Sequence, residues 1–282
     1  MAKYFCRYGL SVNSRHFTTS LLFSAFLAIV LAVSGCATGN NLSSPSRQFT
    51  DIITSFPASQ EQLLFPDLTK IPAQLASATS PASDSDVYVI VHPAYAVFFQ
   101  SLGKERFAEA KYQLLKKQFE TEKEFIAKKA ASGATIILVL PGKAPNGDFP
   151  ATYPSYRNYL NKTAGAGNSV FFIYSGTSSS GAIPEDEMMS LYYFIRGLKP
   201  ARVMVAGGYI GRCQREFYNE LTNYIEKNQV FIVPQLSTIS PDDVTEQEAE
   251  QILRGLEQHD YTLVKQFIDK RTGASANILP LP

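Results

Sequence analysis

Five short and almost continuously apolar runs are spaced along the middle of this chain, and they constrain its fold more than any other feature. The runs are residues 87–91, 134–140, 170–174, 202–206 and 230–233. A strand that is apolar on both faces has to be covered on both faces, as a parallel strand is between two layers of helices. The pattern therefore predicts an α/β fold, a three-layer sandwich with a five-stranded, mostly parallel sheet, in one domain over residues 87–270.

Helical patterns fill the intervals between these runs. Residues 104–132 carry apolar side chains on one helical face, and Gly133 is suited to end that helix. Acidic residues directly after Pro184 favour a helix start there. Further helices are predicted over 155–160, 211–227 and 240–256, the last of which opens with a capping box at Ser240. The spacing of apolar residues over 261–268 suggests one more helix.

The amino-terminal segment has the pattern of a secretion signal. Basic residues precede an apolar stretch over 21–33 that is shorter than a membrane span. This stretch ends in Leu31-Ala32-Val33-Ser34-Gly35-Cys36, and small residues just before a cysteine resemble the lipobox of bacterial lipoproteins. The resemblance implies that residues 1–35 are a signal peptide and that Cys36 becomes the lipidated amino terminus. An ordinary signal peptide with a chance cysteine is the alternative.

The lipobox resemblance also implies a location. Residue 37 is alanine rather than aspartate, which in lipoproteins implies sorting to the outer membrane, with the body facing the periplasm. The first predicted partner is therefore the membrane, reached through the lipid on Cys36. Residues 36–86 are interpreted as the lipidated cysteine, a flexible tether and an arm over 47–72 that lies on the domain. Residues 271–282 are predicted to be a loose tail.

Charge and cysteine content exclude several other classes of protein. Beyond residue 35 the chain holds 23 basic and 25 acidic residues, which offers no basic face to a nucleic acid. The cysteines are Cys6, Cys36 and Cys213, so the body has one thiol and no internal disulfide. The histidines of the body are His92 and His259, and no pair of metal ligands stands at a binding spacing. No cofactor and no metal ion are predicted.

The topology of a doubly wound sheet selects a candidate site, because ligands bind outside the carboxyl ends of its strands. His92 follows the first predicted strand, and Cys213 opens the helix after the fourth strand. The predicted ligand-binding residues are Tyr174, Ser175, Gly207, Gly208, Tyr209, Gly211 and Arg212. The turn over 206–211 also resembles a dinucleotide-binding fingerprint, but the acidic residue expected after the next strand is absent.

Two opposite interpretations of Cys213 stay open at this stage. A helix amino terminus and the adjacent arginines would lower the pKa of its thiol and activate it. Cys213, Phe217 and Leu221, however, share the helical face that points to the core, which favours an inert buried cysteine. His92 is likewise either a general base or a buried histidine with satisfied hydrogen bonds.

From residue 200 onward the pattern resembles the isochorismatase-like cysteine hydrolases. In that family a strand ends in glycine and the nucleophilic cysteine follows six residues later, a spacing that Gly207 and Cys213 keep. The resemblance implies an isochorismatase-like or Rossmann-like α/β fold and, for intact members, hydrolysis of amide or vinyl-ether bonds. His92 stands where the family has an aspartate base, and Tyr174 or Ser175 stands where it has a lysine.

Two functions follow as expectations. The first is a membrane-anchored periplasmic lipoprotein whose non-catalytic α/β domain binds a small-molecule ligand or a periplasmic protein partner. The second is a cysteine hydrolase of the amide or ester type, with Cys213 as nucleophile, His92 as base and the N–H groups from Tyr209 to Cys213 as oxyanion hole. The missing aspartate and lysine favour the first function.

Overall fold

All five predicted strands are present, and they form one sheet. The strands are β1 (Val87–Val91), β2 (Ile136–Leu140), β3 (Val170–Tyr174), β4 (Val203–Tyr209) and β5 (Val230–Thr238). Their order is β3-β2-β1-β4-β5, and each neighbouring pair is parallel. The predicted α/β class with a five-stranded sheet is confirmed, and the sheet is wholly parallel.

The computed structural model describes residues 47–71, 86–99, 106–144, 146–165, 167–273 and 276–282, all within the unit Ser44–Pro282. The predicted signal peptide, Cys36, the tether and most of the predicted loop over 73–86 lie outside the described residues. Within the described part of the chain, no helix combines the length and the apolar character that crossing a membrane requires.

Helices cover both faces of the sheet, as two-sided burial of the strands requires. They are α1 (Thr50–Thr54), α2 (Tyr95–Phe98), α3 (Glu109–Ala131), α4 (Tyr153–Ala164), α5 (Glu185–Leu198), α6 (Cys213–Leu221), α7 (Glu246–Glu257) and α8 (Thr262–Thr272). One core is built mainly with α5 to α8, and the other mainly with α2 to α4.

The central strand β1 shows how the two cores are divided. All of its residues are buried. Val89 belongs to the core beneath α5 and α6, whereas Ile90 belongs to the core beneath α3 and α4. Because successive side chains of a strand point to opposite faces, one short strand supplies both cores. Full burial of each such side chain stabilises the fold by roughly 1.5–3 kcal/mol.

Residues 47–71 form an arm that lies along the α3–α4 side of the body. Phe49 is fully buried and stacks on Tyr112, with ring centroids 4.9 Å apart. Farther along the arm, the Phe172 N–H of the edge strand β3 donates to the Pro66 carbonyl at 3.1 Å. The arm therefore packs on the helical layer and also covers one edge of the sheet.

The carboxyl-terminal tail covers the opposite edge, which differs from the predicted loose tail over 271–282. The Ile232 N–H of β5 donates to the Asn277 carbonyl at 2.7 Å, and the Leu279 N–H donates to the Ile232 carbonyl at 3.0 Å. Strand-like pairing of this kind uses backbone groups that every residue except proline carries. Such pairing does not depend on a pattern of side chains. The tail over 271–282 has prolines and no apolar alternation, so its sequence did not indicate that it pairs with β5.

Three predicted boundaries of the β4–β5 region are wrong. Strand β4 continues to Tyr209 instead of ending at residue 206. Strand β5 continues past Pro234, because a shift of register opposite Gly207 accommodates a residue that has no N–H to donate. Helix α6 ends at Leu221 instead of continuing to residue 227. Tyr224 N–H donates to the Leu221 carbonyl at 3.0 Å, which closes a tight turn directly after the helix.

The other helices also begin or end away from their predicted limits. The predicted helix over 104–132 is described from Glu109, and the weak pattern over 155–160 is the longer helix α4. The predicted capping box at Ser240 is wrong, because Pro241–Asp243 form only a 3-10 turn. The capping box of α7 is one turn later: Glu248 N–H donates to the Thr245 hydroxyl at 3.2 Å, and Thr245 N–H donates to the Glu248 carboxylate at 2.7 Å.

Removal of the buried ring of the arm tests how firmly the arm is held. Phe49→Ala should lower the free energy of unfolding by about 3–5 kcal/mol, because the arm loses a fully buried aromatic side chain. Urea unfolding of the two proteins measures the difference. Leu64→Ala is the matched control on the same arm, since Leu64 is 60% exposed, and it should change the value by less than about 0.5 kcal/mol. Wild-type stability of Phe49→Ala would mean that the arm does not stabilise the body.

Candidate functional site

The carboxyl ends of β1 and β4 meet the start of α6 at the predicted site, and the cavity there is small. Its volume is about 270 Å³. It is lined by Tyr95, Phe99, Ser179, Tyr209, Arg212, Cys213 and Asp242, and we call it the cysteine cavity. Cys213, Tyr209 and Arg212 of the predicted site share this cavity, whereas His92 is not among the lining residues.

Cys213 is the first residue of α6 and is buried. Only 3% of the residue is exposed, and its Sγ lies 3.5 Å from the Ser179 carbonyl oxygen. Burial, followed by the charge of the Glu216 carboxylate, raises the pKa of the thiol to about 11. The backbone N–H groups at the helix start and Arg212 act in the opposite direction, as the sequence predicts, but burial outweighs them. At neutral pH the thiol is therefore protonated.

A loop over residues 175–183 covers Cys213, and α6 itself holds that loop. The Glu216 carboxylate accepts hydrogen bonds from the Ser180 hydroxyl at 2.8 Å and from the Gly181 N–H at 3.0 Å. One turn later, the Glu220 carboxylate accepts from the Ile183 N–H at 3.0 Å. A Cβ at residue 181 would lie 1.9 Å from the Cys213 carbonyl oxygen, so glycine allows the loop to seat against the helix start.

His92 is buried and makes its hydrogen bond away from Cys213. Its Nε2 lies 2.9 Å from the Ser175 hydroxyl oxygen. The Ser175 hydroxyl also lies within hydrogen-bond distance of the Thr177 carbonyl, at 2.7 Å, and of the Leu140 carbonyl, at 3.3 Å. Burial lowers the pKa of His92 to about 3. His92 is thus a neutral side chain that connects the end of β1 to the end of β3, across β2.

The structure does not bring the predicted base and nucleophile into a hydrogen bond. The Nε2 of His92 is bonded to Ser175, its Nδ1 has no hydrogen-bond partner among the described residues, and the Cys213 thiol is bonded to Ser179. Tyr95 lines the cysteine cavity and stacks on the His92 ring, with centroids 5.4 Å apart. A base for Cys213 would have to act in the cysteine cavity. Of the two stacked rings, Tyr95 is the one that lines this cavity.

Two of the five N–H groups of the predicted oxyanion hole, those of Ile210 and Arg212, are occupied by the protein's own backbone. The Ile210 N–H donates to the Thr238 carbonyl at 2.9 Å, and the Arg212 N–H donates to the Tyr209 carbonyl at 3.0 Å. Donors that are bonded within the fold are not free to stabilise a developing oxyanion. The Glu216 carboxylate beside Cys213 would in addition repel such an anion.

The predicted glycines lie at the end of β4 and in the turn that leads to α6. Gly207 is in β4 with a φ of +74°, and a Cβ there would lie 2.2 Å from the Val91 carbonyl oxygen, so a side chain would collide with β1. Gly208, also in β4, and Gly211, in the turn, have positive φ as well. These glycines permit close packing of the protein on itself, and the turn leaves little space for a ligand.

Arg212 is engaged by its neighbours at the mouth of the cysteine cavity. Its guanidinium lies over the Tyr209 ring at 5.9 Å. The Asp243 carboxylate accepts from Arg212 and lies equally close, at 3.3 Å, to the Arg271 guanidinium. The arginine predicted to bind a ligand therefore already has an acidic partner.

Tyr174 lies in a different place from the other predicted ligand-binding residues. Its hydroxyl is 2.8 Å from the Tyr153 hydroxyl, and it lines a cavity of about 670 Å³ between β3, the start of α4 and the arm. We call this second space the arm cavity. Ser175, the next residue, is buried against His92 and lines neither cavity. The predicted site is therefore divided between two cavities.

Two acidic residues near this region were missed by sequence reasoning. Glu216 anchors the loop that covers Cys213, and Glu122 of α3 accepts a hydrogen bond from the Ala94 N–H at 2.7 Å. Ala94 and His92 both have positive φ, so Glu122 holds a strained turn after β1. Burial raises the pKa of Glu122 to about 8. Both carboxylates look in the sequence like charges on a solvated helix face.

Metal ligands are not assembled in the described residues, where no three side chains of histidine, cysteine, aspartate or glutamate form a group able to hold an ion.

Comparisons with known proteins give only remote similarity. No protein-family profile matches the sequence, and no curated protein matches it. Among solved structures, the nicotinamidase of Staphylococcus aureus is 12% identical, with a TM-score of 0.40, and the alignment covers 69% of this chain and 97% of that one. The pyrazinamidase/nicotinamidase of Streptococcus mutans is 14% identical, with a TM-score of 0.41 and coverage of 69% and 100%.

A third solved structure is that of the pyrazinamidase of Pyrococcus horikoshii in complex with zinc. It is 17% identical, with a TM-score of 0.35, and the alignment covers 61% of this chain and 96% of that one. Similarities at these values carry no conclusion about function, which has to follow from the geometry of the chain itself.

Substitution of Gly181 tests whether the loop over 175–183 seals Cys213. Gly181→Ala should lower the free energy of unfolding by about 1–3 kcal/mol and increase the reactivity of the Cys213 thiol, because the new Cβ collides with backbone. Thermal unfolding and titration of thiols with a disulfide reagent measure the two effects. Gly176→Ala in the same loop is the matched control, since its Cβ would meet the Ala182 carbonyl oxygen at an ordinary 3.6 Å. Identical behaviour of the two variants would contradict the close seating of the loop.

Proposed function

We propose that this protein is an outer-membrane lipoprotein, anchored by lipid on Cys36, whose non-catalytic α/β body binds a small molecule or a periplasmic protein. The observation that carries the non-catalytic assignment is the state of Cys213, which is 3% exposed and has a pKa raised to about 11. A cysteine nucleophile requires the thiolate, and a group that is protonated and covered cannot attack a substrate.

The surroundings of Cys213 support the same proposal. The candidate base His92 is held in a hydrogen bond to Ser175 and has a pKa lowered to about 3. Hydrolysis by this site would require loss of the covering loop and a new proton acceptor. The body has the five-stranded sheet, but the loop over 175–183 covers Cys213 at the carboxyl ends of the strands. This arrangement is better suited to binding than to turnover.

Membrane anchoring rests on the amino-terminal sequence, where small residues precede Cys36 after an apolar stretch. Three acyl chains on one cysteine would give stable attachment, since one chain alone binds a membrane only marginally. The segment between Cys36 and the arm is rich in serine, asparagine and glycine, a composition that suits a flexible spacer between membrane and body.

The reactivity of Cys213 tests the non-catalytic assignment. The folded protein should resist iodoacetamide at pH 8, and the rate should rise only as the pH approaches about 11, because burial favours the neutral thiol. The same shift stabilises the fold below the unfolded-state pKa of about 8.5, and that stability is lost as the pH rises toward the folded-state value. Mass spectrometry after timed alkylation measures the rate, and protein unfolded in urea provides the fast reference.

Rapid alkylation of the folded protein at neutral pH would sink this assignment and revive the cysteine hydrolase. In that case a panel of amide and ester substrates should show turnover that Cys213→Ala abolishes, whereas the non-catalytic protein shows none.

Lipidation is tested separately at Cys36. Cys36→Ser should abolish incorporation of a radiolabelled fatty acid and should remove the protein from the outer-membrane fraction, because serine has no thiol to accept the diacylglycerol. Cys6→Ser is the matched control, since Cys6 lies within the proposed signal peptide, and it should leave both readouts unchanged. Continued labelling of Cys36→Ser would mean that the resemblance to a lipobox is accidental.

A further inference from the structure

The arm cavity is separate from the cysteine cavity that Cys213 lines. It lies between the arm, the start of α4 and the carboxyl end of β3, with a volume of about 670 Å³. Cavities that hold small organic ligands fall in the range of about 300–1,000 Å³. The space is therefore suited to a small molecule.

Aromatic rings form much of the wall of this cavity. The rings belong to Phe65, Phe149, Tyr153, Phe172 and Tyr174. Phe149 and Tyr153 stack with centroids 4.0 Å apart and planes 17° from parallel. The hydroxyls of Tyr153 and Tyr174 share one hydrogen bond at 2.8 Å, which uses one of their two O–H protons. Stacked and edge-on rings of this kind favour a flat aromatic ligand.

Arg157 adds a charge that the described protein leaves unpaired. This half-buried residue lines the cavity, and its guanidinium lies over the Tyr153 ring at 5.6 Å. Its hydrogen bond within the described residues goes from one terminal nitrogen to the Ser59 carbonyl at 3.3 Å, and its buried Nε has no partner. A guanidinium has five N–H donors, so most of its capacity is unused.

The other charges of the cavity leave an excess of positive charge. Asp67 is already bonded to the Thr69 N–H at 3.0 Å and hydroxyl at 2.7 Å, and Lys70 lies 3.5 Å from its other oxygen. The charged residues of the lining are Asp67, Lys70 and Arg157, which leave a formal excess of one positive charge, and Arg157 forms no salt bridge within the described residues. An anionic ligand would supply the missing partner.

We propose that the arm cavity binds a flat aromatic molecule that carries one carboxylate, with its ring against the aromatic wall and its carboxylate on the Arg157 guanidinium. The planar fork of arginine matches a carboxylate with two parallel hydrogen bonds. This assignment rests on the proposed function in one respect, since it gives the non-catalytic body a ligand and a site. It does not involve Cys213.

Paired probes test the assignment by calorimetry on the purified full chain in a non-ionic detergent, with detergent alone as the blank. The probes are 2-naphthoate and its neutral amide, 2-naphthamide, which have nearly the same shape. We expect 2-naphthoate to bind at least about tenfold more tightly than the amide, because charge-assisted hydrogen bonds exceed neutral ones. Absence of binding by both probes, or equal affinity for both, would overturn the assignment.

Arg157→Gln should abolish the preference for the acid over the amide. Arg196→Gln is the matched control: Arg196 lies over Tyr192 at 5.9 Å, as Arg157 lies over Tyr153, but it is on α5, away from the arm cavity. A preference that survives Arg157→Gln would place the anion elsewhere and overturn the proposal.

A measurement on the wild-type protein keeps the test decisive even if Arg157→Gln does not fold. Nitrogen-15 spectra should show the Nε–H resonance of an arginine shift on addition of 2-naphthoate and remain unmoved by 2-naphthamide. An unmoved arginine resonance at saturating 2-naphthoate would contradict the proposal. Cys213→Ala should bind 2-naphthoate as tightly as the wild type. The ligand assignment and the non-catalytic assignment can therefore fail separately, because the first is tested by binding of 2-naphthoate and the second by the reactivity of the Cys213 thiol.

Discussion

Two-sided burial of the parallel sheet is the constraint on which the rest of this structure depends. β1 lies at the centre of the sheet, with every residue buried, and its alternate side chains divide between two cores. Helices must therefore lie on both faces, and the connections must place every strand's carboxyl end at the same edge. That edge is where a doubly wound fold normally holds its ligand, and in this protein it is filled by the turn after β4 and by the loop that Glu216 holds.

The elements that local pattern determines were predictable, and those that distant contacts determine were not. The apolar runs give β1 and β3 with their observed limits, since a continuous run of buried residues is itself the strand signal. The true length of β5 was not predictable, because Pro234 has no N–H and is tolerated only through a shift of register with β4. The capping box of α7 was misplaced because Ser240 and Thr245 are both good caps, and only the backbone conformation decides between them.

The candidate site illustrates the same limit in chemical terms. The sequence correctly indicates that Cys213 stands at a helix start beside arginines, and both features do lower its pKa. Burial decides that the pKa of Cys213 is raised overall. That burial depends on a loop 34 residues earlier in the chain, where the Ser179 carbonyl contacts the sulfur. The hydrogen bond between His92 and Ser175 spans 83 residues of sequence, so no local pattern distinguishes a buried connecting histidine from a general base.

The coverage of both sheet edges has a consequence for how copies of this protein meet. The arm accepts a hydrogen bond from Phe172 of β3 through the Pro66 carbonyl, and the tail exchanges hydrogen bonds with Ile232 of β5. A second chain cannot add a strand at these positions unless the arm or the tail is first displaced. At high local concentration, exposed sheet edges of neighbouring copies tend to pair, and the two terminal segments block such pairing sterically at these positions.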